Sequence, residues 1–145
     1  MHPGQIFLFE GVQSLSSTGP AEVFDTANSM MDSQPRYAVR TATIDGAPVR
    51  TSSGLTVVPD STGKDVADIG TLVVPGGDAP PSLEPSGITE IAAMAHRSER
   101  VASICTGAFV LARAGLLDGL SGVDPALVLG GRSTLPPTRP ASENG

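Results

Sequence analysis

Apolar residues in this chain gather in short continuous runs: Gln5–Phe9 (QIFLF), Thr71–Val74 (TLVV) and Val101–Ile104 (VASI). Runs of this length that do not alternate with polar residues read as strands covered on both faces, as in a parallel sheet. Between them the spacing turns helical. Val23, Phe24, Ala27, Met30 and Met31 mark a helix over Ala21–Met31, and Ile88, Ile91, Ala92 and Ala95 mark one over Ile88–Arg97. A small-residue helix is predicted from Gly107 to Leu117, closing at Asp118-Gly119. Pro20 is expected in the first turn of the first helix, with Glu22 and Asp25 near the positive end of its dipole. Tyr37–Thr43, rich in β-branched residues, predicts a strand ahead of the Asp45-Gly46 turn. Val49–Thr51 and Leu55–Val58 predict a hairpin around Ser52-Ser53-Gly54. Alternating strands and helices imply a three-layer α/β fold on a mostly parallel sheet, with Val101–Ile104 inside the sheet and not at its edge.

Composition narrows the function classes. One domain is expected from 145 residues. Aromatics are 3%, with no Trp, so the core must be built from aliphatic side chains. The net charge of −6 offers no basic footprint for phosphate backbones, and direct nucleic-acid binding is not expected. A single cysteine, Cys105, excludes an internal disulfide framework and a multi-cysteine metal site; neither a metal nor a cofactor is called for. The apolar stretch Ala108–Leu117 is interrupted by Arg113 and too short to span a bilayer, and no signal peptide is visible. A soluble, reduced, cytoplasmic protein without a membrane partner is the expectation. Residues 1–119 read as the domain, and 120–145, rich in Pro and Gly, as a disordered tail.

Candidate chemistry collects at two strand ends. In Val101-Ala-Ser-Ile-Cys105-Thr106-Gly-Ala, a strand gives way to one cysteine and then to small residues opening a helix. Small neighbours are what a side chain on a sharp strand-to-helix turn requires. A thiol there feels the helix dipole, which favours thiolate, and the Thr106 amide would point into the same space. A half-buried structural cysteine is the alternative. Gly76-Gly77, directly after TLVV, would let backbone N–H groups approach a ligand or an oxyanion. Both turns follow the ends of strands where open α/β sheets bind ligands.

The strings TLVVPGG and VASICTGAFVLARAGLLDG resemble the ThiJ/PfpI family, relatives of class I glutamine amidotransferases. GVQSLSSTGPAEVFDTAN and VRTSSGL are similar to the N-terminal sensor half of AraC-type transcription regulators, and isonitrile hydratases share much of the pattern. The resemblance runs from Gln5 to Gly119. It implies a flavodoxin-like sandwich, incomplete at the C-terminus, with Cys105 at a nucleophile elbow and Gly76, Gly77, Thr106, Ser16 and Glu22 as candidate ligand contacts. Active members place an acid before the Gly-Pro, bonded to the cysteine sulfur; Ser16 stands there in SLSSTGP. Glu22, in GPAEVF, matches a family glutamate and is expected to reach the site or to cap its helix. The family also carries a histidine in a TTHW-like segment after LLDG. Here the histidines are His2, expected at a frayed terminus, and His96, expected exposed late in a helix.

These departures favour a non-catalytic domain over a thiol enzyme. The first reading is the ligand-sensing or dimerisation half of an AraC-type regulator, lacking its helix-turn-helix half. Its partners would be an unidentified small molecule and a second copy of the chain. The second is a cysteine-dependent enzyme, such as an isonitrile hydratase or a small hydrolase. An incomplete fold would also leave Phe109, Val110, Leu116 and Leu117 partly uncovered.

Overall fold

The computed structural model describes residues 1–31, 36–78 and 83–119; the tail expected from residue 120 lies outside them. Along the chain come β1 (His2–Phe7), α1 (Ser14–Ser29), β2 (Tyr37–Thr43), β3 (Val49–Arg50), β4 (Thr56–Val57) and β5 (Ser61–Thr62). A 3-10 turn (Gly63–Asp65) then leads to β6 (Ile69–Val74), α2 (Pro85–His96), β7 (Ser98–Ser103) and α3 (Gly107–Arg113). Five strands form one sheet in the order β5-β2-β1-β6-β7, every pairing parallel, while β3 and β4 make the expected antiparallel hairpin. From β1 the chain steps outward one way through α1 to β2, and from β6 the opposite way through α2 to β7. With right-handed crossovers this places the two helices on opposite faces. The α/β sandwich on a parallel sheet is the architecture observed. Its core is mainly aliphatic: Ile6, Leu8, Val12, Leu72, Val74, Ile91, Met94 and Val110 are buried, with Phe7 and Phe9 as aromatic exceptions.

Several local expectations are corrected. Among the described residues β7 borders the sheet, pairing with β6 alone, so Val101–Ile104 is not interior. The strand begins at Ser98 and includes Glu99 and Arg100, both exposed; such charges suit a border that an inner strand could not offer. The first helix starts at Ser14, seven residues before Ala21, so Pro20 lies inside it. The hydroxyls of Ser17 and Thr18 donate to the carbonyls of Gln13 (3.3 Å) and Ser14 (3.0 Å). Residues that bond their own backbone in this way make a helical turn read as loop. Gly19, lacking Cβ, eases the helical conformation just before a proline. Glu22 and Asp25 consequently sit in mid-helix, exposed, and no acidic residue occupies the first turn.

The chain start is ordered as well. His2 belongs to β1, its Nε2 lies 2.9 Å from Thr71 Oγ1, and its ring meets Tyr37 edge-on at 5.9 Å. Strand β5 carried no recognisable signal at two residues. α2 begins three residues early because Pro85 fits a helix's opening turn. α3 ends at Arg113, short of Leu117. Gly115, at φ 73°, donates to Ala112 O (3.0 Å) and Leu116 N–H to Leu111 O (3.0 Å), a Schellman close. Of the four residues expected to be partly uncovered, Phe109 is exposed, Leu116 and Leu117 are half-buried against the core, and Val110 alone is fully buried.

Candidate functional site

The strand order reverses between β1 and β6, and their two exit loops diverge there. Such a switch point opens a crevice at the carboxyl ends of the strands. Here the loops are laced together: Val12 and Gly77 form an antiparallel bridge, Gln13 N–H donates to Gly76 O (2.9 Å), and Asp78 N–H to Gly11 O (3.0 Å). A Cβ on Gly77 would stand 2.8 Å from Val12 Cα and 3.0 Å from Gln13 N, so this approach admits only glycine.

From the other side comes the turn between β7 and α3. Ile104 N–H donates to Val74 O (3.0 Å), which sets the end of β7 against the end of β6. Cys105 follows at φ 51°, the one non-glycine with positive φ among the described residues. That conformation costs an L-residue about 1–2 kcal/mol and persists where the flanks leave no alternative. They leave none here. A Cβ on Gly107 would run into Val74 O and lie 2.8 Å from Pro75 O, so the chain hugs the β6 exit on leaving the cysteine. Thr106 Oγ1 accepts from Gly77 N–H (3.0 Å) and donates to Gly77 O (3.2 Å), gripping both polar groups of one residue. Gly76 lies in the angle: a Cβ there would be 2.9 Å from Thr106 N and 3.1 Å from Cys105 Cβ. The thiol is free and exposed. The amides of Gly76 and Thr106 meet no protein acceptor among the described residues. N–H donors left without a protein acceptor can in general receive a negatively charged oxygen.

Cys105, Thr106, Gly76 and Gly77 are thus brought together. Ser16 is near them in the hydrogen-bond network: buried in the first turn of α1, it donates to Gln13 Oε1 (3.1 Å), and Gln13 N–H is the donor to Gly76. Glu22 is not brought there, since the early start of α1 carries it to the exposed middle of the helix. Gln13 was missed. It is the N-cap of α1, and glutamine is not among the residues that announce that position. His2 opens β1, at the opposite end of the parallel sheet from a residue that follows β7, and His96 is exposed at the last residue of α2. No three metal-ligating side chains converge among the described residues. A separate cavity of about 390 Å³ lies between α1, β2 and the β3–β4 hairpin, walled by Ile6, Leu8, Val39, Leu55 and Val57, and Cys105 does not line it. No helix of the described residues is long and apolar enough to cross a membrane.

A parallel α/β sandwich with a strained cysteine turn at its switch point defines a class of protein. Within that class the chain belongs to the DJ-1/PfpI family, whose profile matches residues 5–122. It is 43% identical over 120 residues to a Streptomyces lividans protein, "uncharacterized protein in cpoL 5′ region", covering 81% of this chain and 83% of that one. It is 36% identical to an isonitrile hydratase of Pseudomonas putida, over 77% of this chain and 47% of the relative. To the HTH-type transcriptional regulator GbdR of Pseudomonas aeruginosa it is 31% identical, over 77% of this chain and 30% of the regulator. The chain therefore spans about half of the hydratase and under a third of the regulator. Among solved structures, a ThiJ/PfpI family protein from Pseudomonas syringae superposes with a TM-score of 0.68 at 26% identity, over 81% of this chain and 48% of that one. An AraC family transcriptional regulator from Pseudomonas putida shares the fold with a TM-score of 0.68 at 24% identity, over 82% of this chain and 64% of that one.

Proposed function

We propose that this chain is a ligand-sensing or dimerisation domain of the AraC-regulator type, and that it does not turn substrate over. One observation carries the reading. The cysteine turn and its free amides are built, while the residue at the family's acid position is Ser16, held by Gln13, and neither histidine reaches the turn. A hydroxyl cannot hold a thiol's proton as a carboxylate does. General acid–base help is worth roughly 10²–10⁴-fold, so its loss leaves a binding crevice and not a catalyst. The site's ligand would be a small molecule with a negatively polarised oxygen to meet the Gly76 and Thr106 amides. The dimerisation half of the reading rests on α1, where Leu15 (71% exposed) and Val23 (66%), with Met30 (80%) at the C-cap, stand exposed among the described residues.

The alternative, a cysteine-dependent enzyme, draws on the hydratase relative and on the exposed thiol. Assays with an alkyl isonitrile, a dicarbonyl and an activated ester separate the two readings. No rate above the uncatalysed reaction is expected. Turnover that disappears in Cys105→Ser would replace the sensor reading with the enzyme one.

A further inference from the structure

We propose that Thr106 is a mechanical latch that passes a disturbance at Cys105 to the first turn of α1; this rests on the sensor reading above and names how that site would signal. Thr106 Oγ1 holds the N–H and the C=O of Gly77 at 3.0 and 3.2 Å, so a rotation of the Cys105–Thr106 peptide cannot leave Gly77 where it is. Gly77 in turn has no clearance on its far side. Gly11 O, Val12 Cα and Gln13 N crowd the position where its side chain would begin. The loop beneath moves with it, because Gln13 N–H is bonded to Gly76 O (2.9 Å) and Asp78 N–H to Gly11 O (3.0 Å).

Gln13 is the N-cap of α1, and its carbonyl receives both Ser16 N–H (3.1 Å) and the Ser17 hydroxyl (3.3 Å). Displacing it therefore unsettles the first helical turn. Leu15, exposed in that same turn, is the surface that would carry the change outward. The input end is poised for such a change. Cys105 sits at a positive φ that its neighbours enforce, and any adduct on its exposed sulfur adds bulk to a turn with no slack. Paths of this kind count as coupling only when the link can be cut, and the Thr106 hydroxyl is one atom that cuts it.

The test alkylates Cys105 of the full chain with iodoacetamide and reads amide hydrogen exchange residue by residue. In the native protein, exchange at Gly77, Gln13 and Ser14–Ser17 is expected to rise at least tenfold on alkylation. In Thr106→Val, which keeps the shape and loses the hydroxyl, the rise should stay within residues 104–109. Thr106→Ser should restore the spread, which separates the hydroxyl from mere packing. If Cys105 resists the reagent, Cys105→Met, which adds bulk at the same turn, serves as the disturbance with the same expectations. Equal spread in Thr106→Val and the native chain would overturn the latch, as would alkylation or Cys105→Met leaving Gln13 unchanged. Should Thr106→Val not fold, a Thr106→Ser chain that confines the change to the turn would also overturn it. The sensor reading fails on different evidence, namely turnover, so a working latch in an active enzyme would leave this inference standing.

Discussion

The β7–α3 junction and the first turns of α1 are both crowded with small residues, for opposite reasons. At the junction smallness is forced by backbone. Gly76, Gly77 and Gly107 each have main-chain atoms of another segment closer than a Cβ tolerates. In α1, a Cβ on Gly19 would meet nothing within 4 Å, and Ser17 and Thr18 spend their hydroxyls on the carbonyls of Gln13 and Ser14. One region is small because three loops converge on it. The other is small because a helix has to begin on residues of low helix preference and then pass through a proline. A run of Gly, Ser and Thr therefore identifies a site only when the neighbouring chain is known.

The comparison breaks first at Gly107. Gly107→Ala drives a methyl into the carbonyl of Val74, and neither backbone can yield without disturbing β6. A loss of about 2–3 kcal/mol is expected, a large share of a domain's ~5–15 kcal/mol, read as a lower midpoint in urea. An unchanged midpoint would mean that the junction is looser than its geometry implies.

The α1 side responds with the other sign. Pro20 cannot donate to the carbonyl of Ser16 four residues back, and an interior proline costs a helix roughly 3 kcal/mol. Part of that is offset by proline's stiffness in the unfolded chain, about 0.4–1 kcal/mol. Pro20→Ala should accordingly raise stability by ~2–2.5 kcal/mol, seen as a higher melting midpoint with unchanged cooperativity. A fall would show that Pro20 is needed to seat Ser17, Ala21 and Asn28 over the sheet.

These regions also show what was legible in the sequence. TLVV and its Gly-Gly exit were, since a buried strand with a tight exit leaves a strong local mark; β6 is buried along its whole length. The hairpin was announced by Gly54, which adopts φ 87°. The start of α1 was not, because its hydroxyl-rich first turns and Pro20 look like a loop, and the capping signal that would have corrected this is absent at Gln13. Position in the sheet was not legible at VASI. The short apolar window hid Glu99 and Arg100, exposed charges of β7, which borders the sheet among the described residues. At the site, Cys105, Thr106, Gly76 and Gly77 could be proposed together from their turns. The Thr106 grip on Gly77 could not, since sequence spacing says nothing about which hydroxyl faces which amide across 29 residues. Glu22 was misassigned for the same reason that α1 was: a helix begun seven residues late puts a mid-helix side chain at its mouth.

The finest test lies at the cysteine itself. Its φ of 51° belongs to the region where glycine is at ease and an L side chain is not. Replacing Cys105 by Gly removes that penalty, about 1–2 kcal/mol, and adds the greater freedom of glycine in the unfolded chain, about 0.5–1 kcal/mol. The exposed thiol contributes little burial to lose. The balance is a gain of roughly 0.5–1 kcal/mol, measurable as a small rise in the unfolding midpoint with no change in slope. A residue retained against stability has its reason in what the side chain does, and a gain here would place Cys105 in that category. A loss would mean instead that the turn is fixed by packing around the sulfur. The crowding at Gly76 and Gly107 would then be a consequence of Cys105, and the contrast with α1 would have to be drawn from the side chain outward.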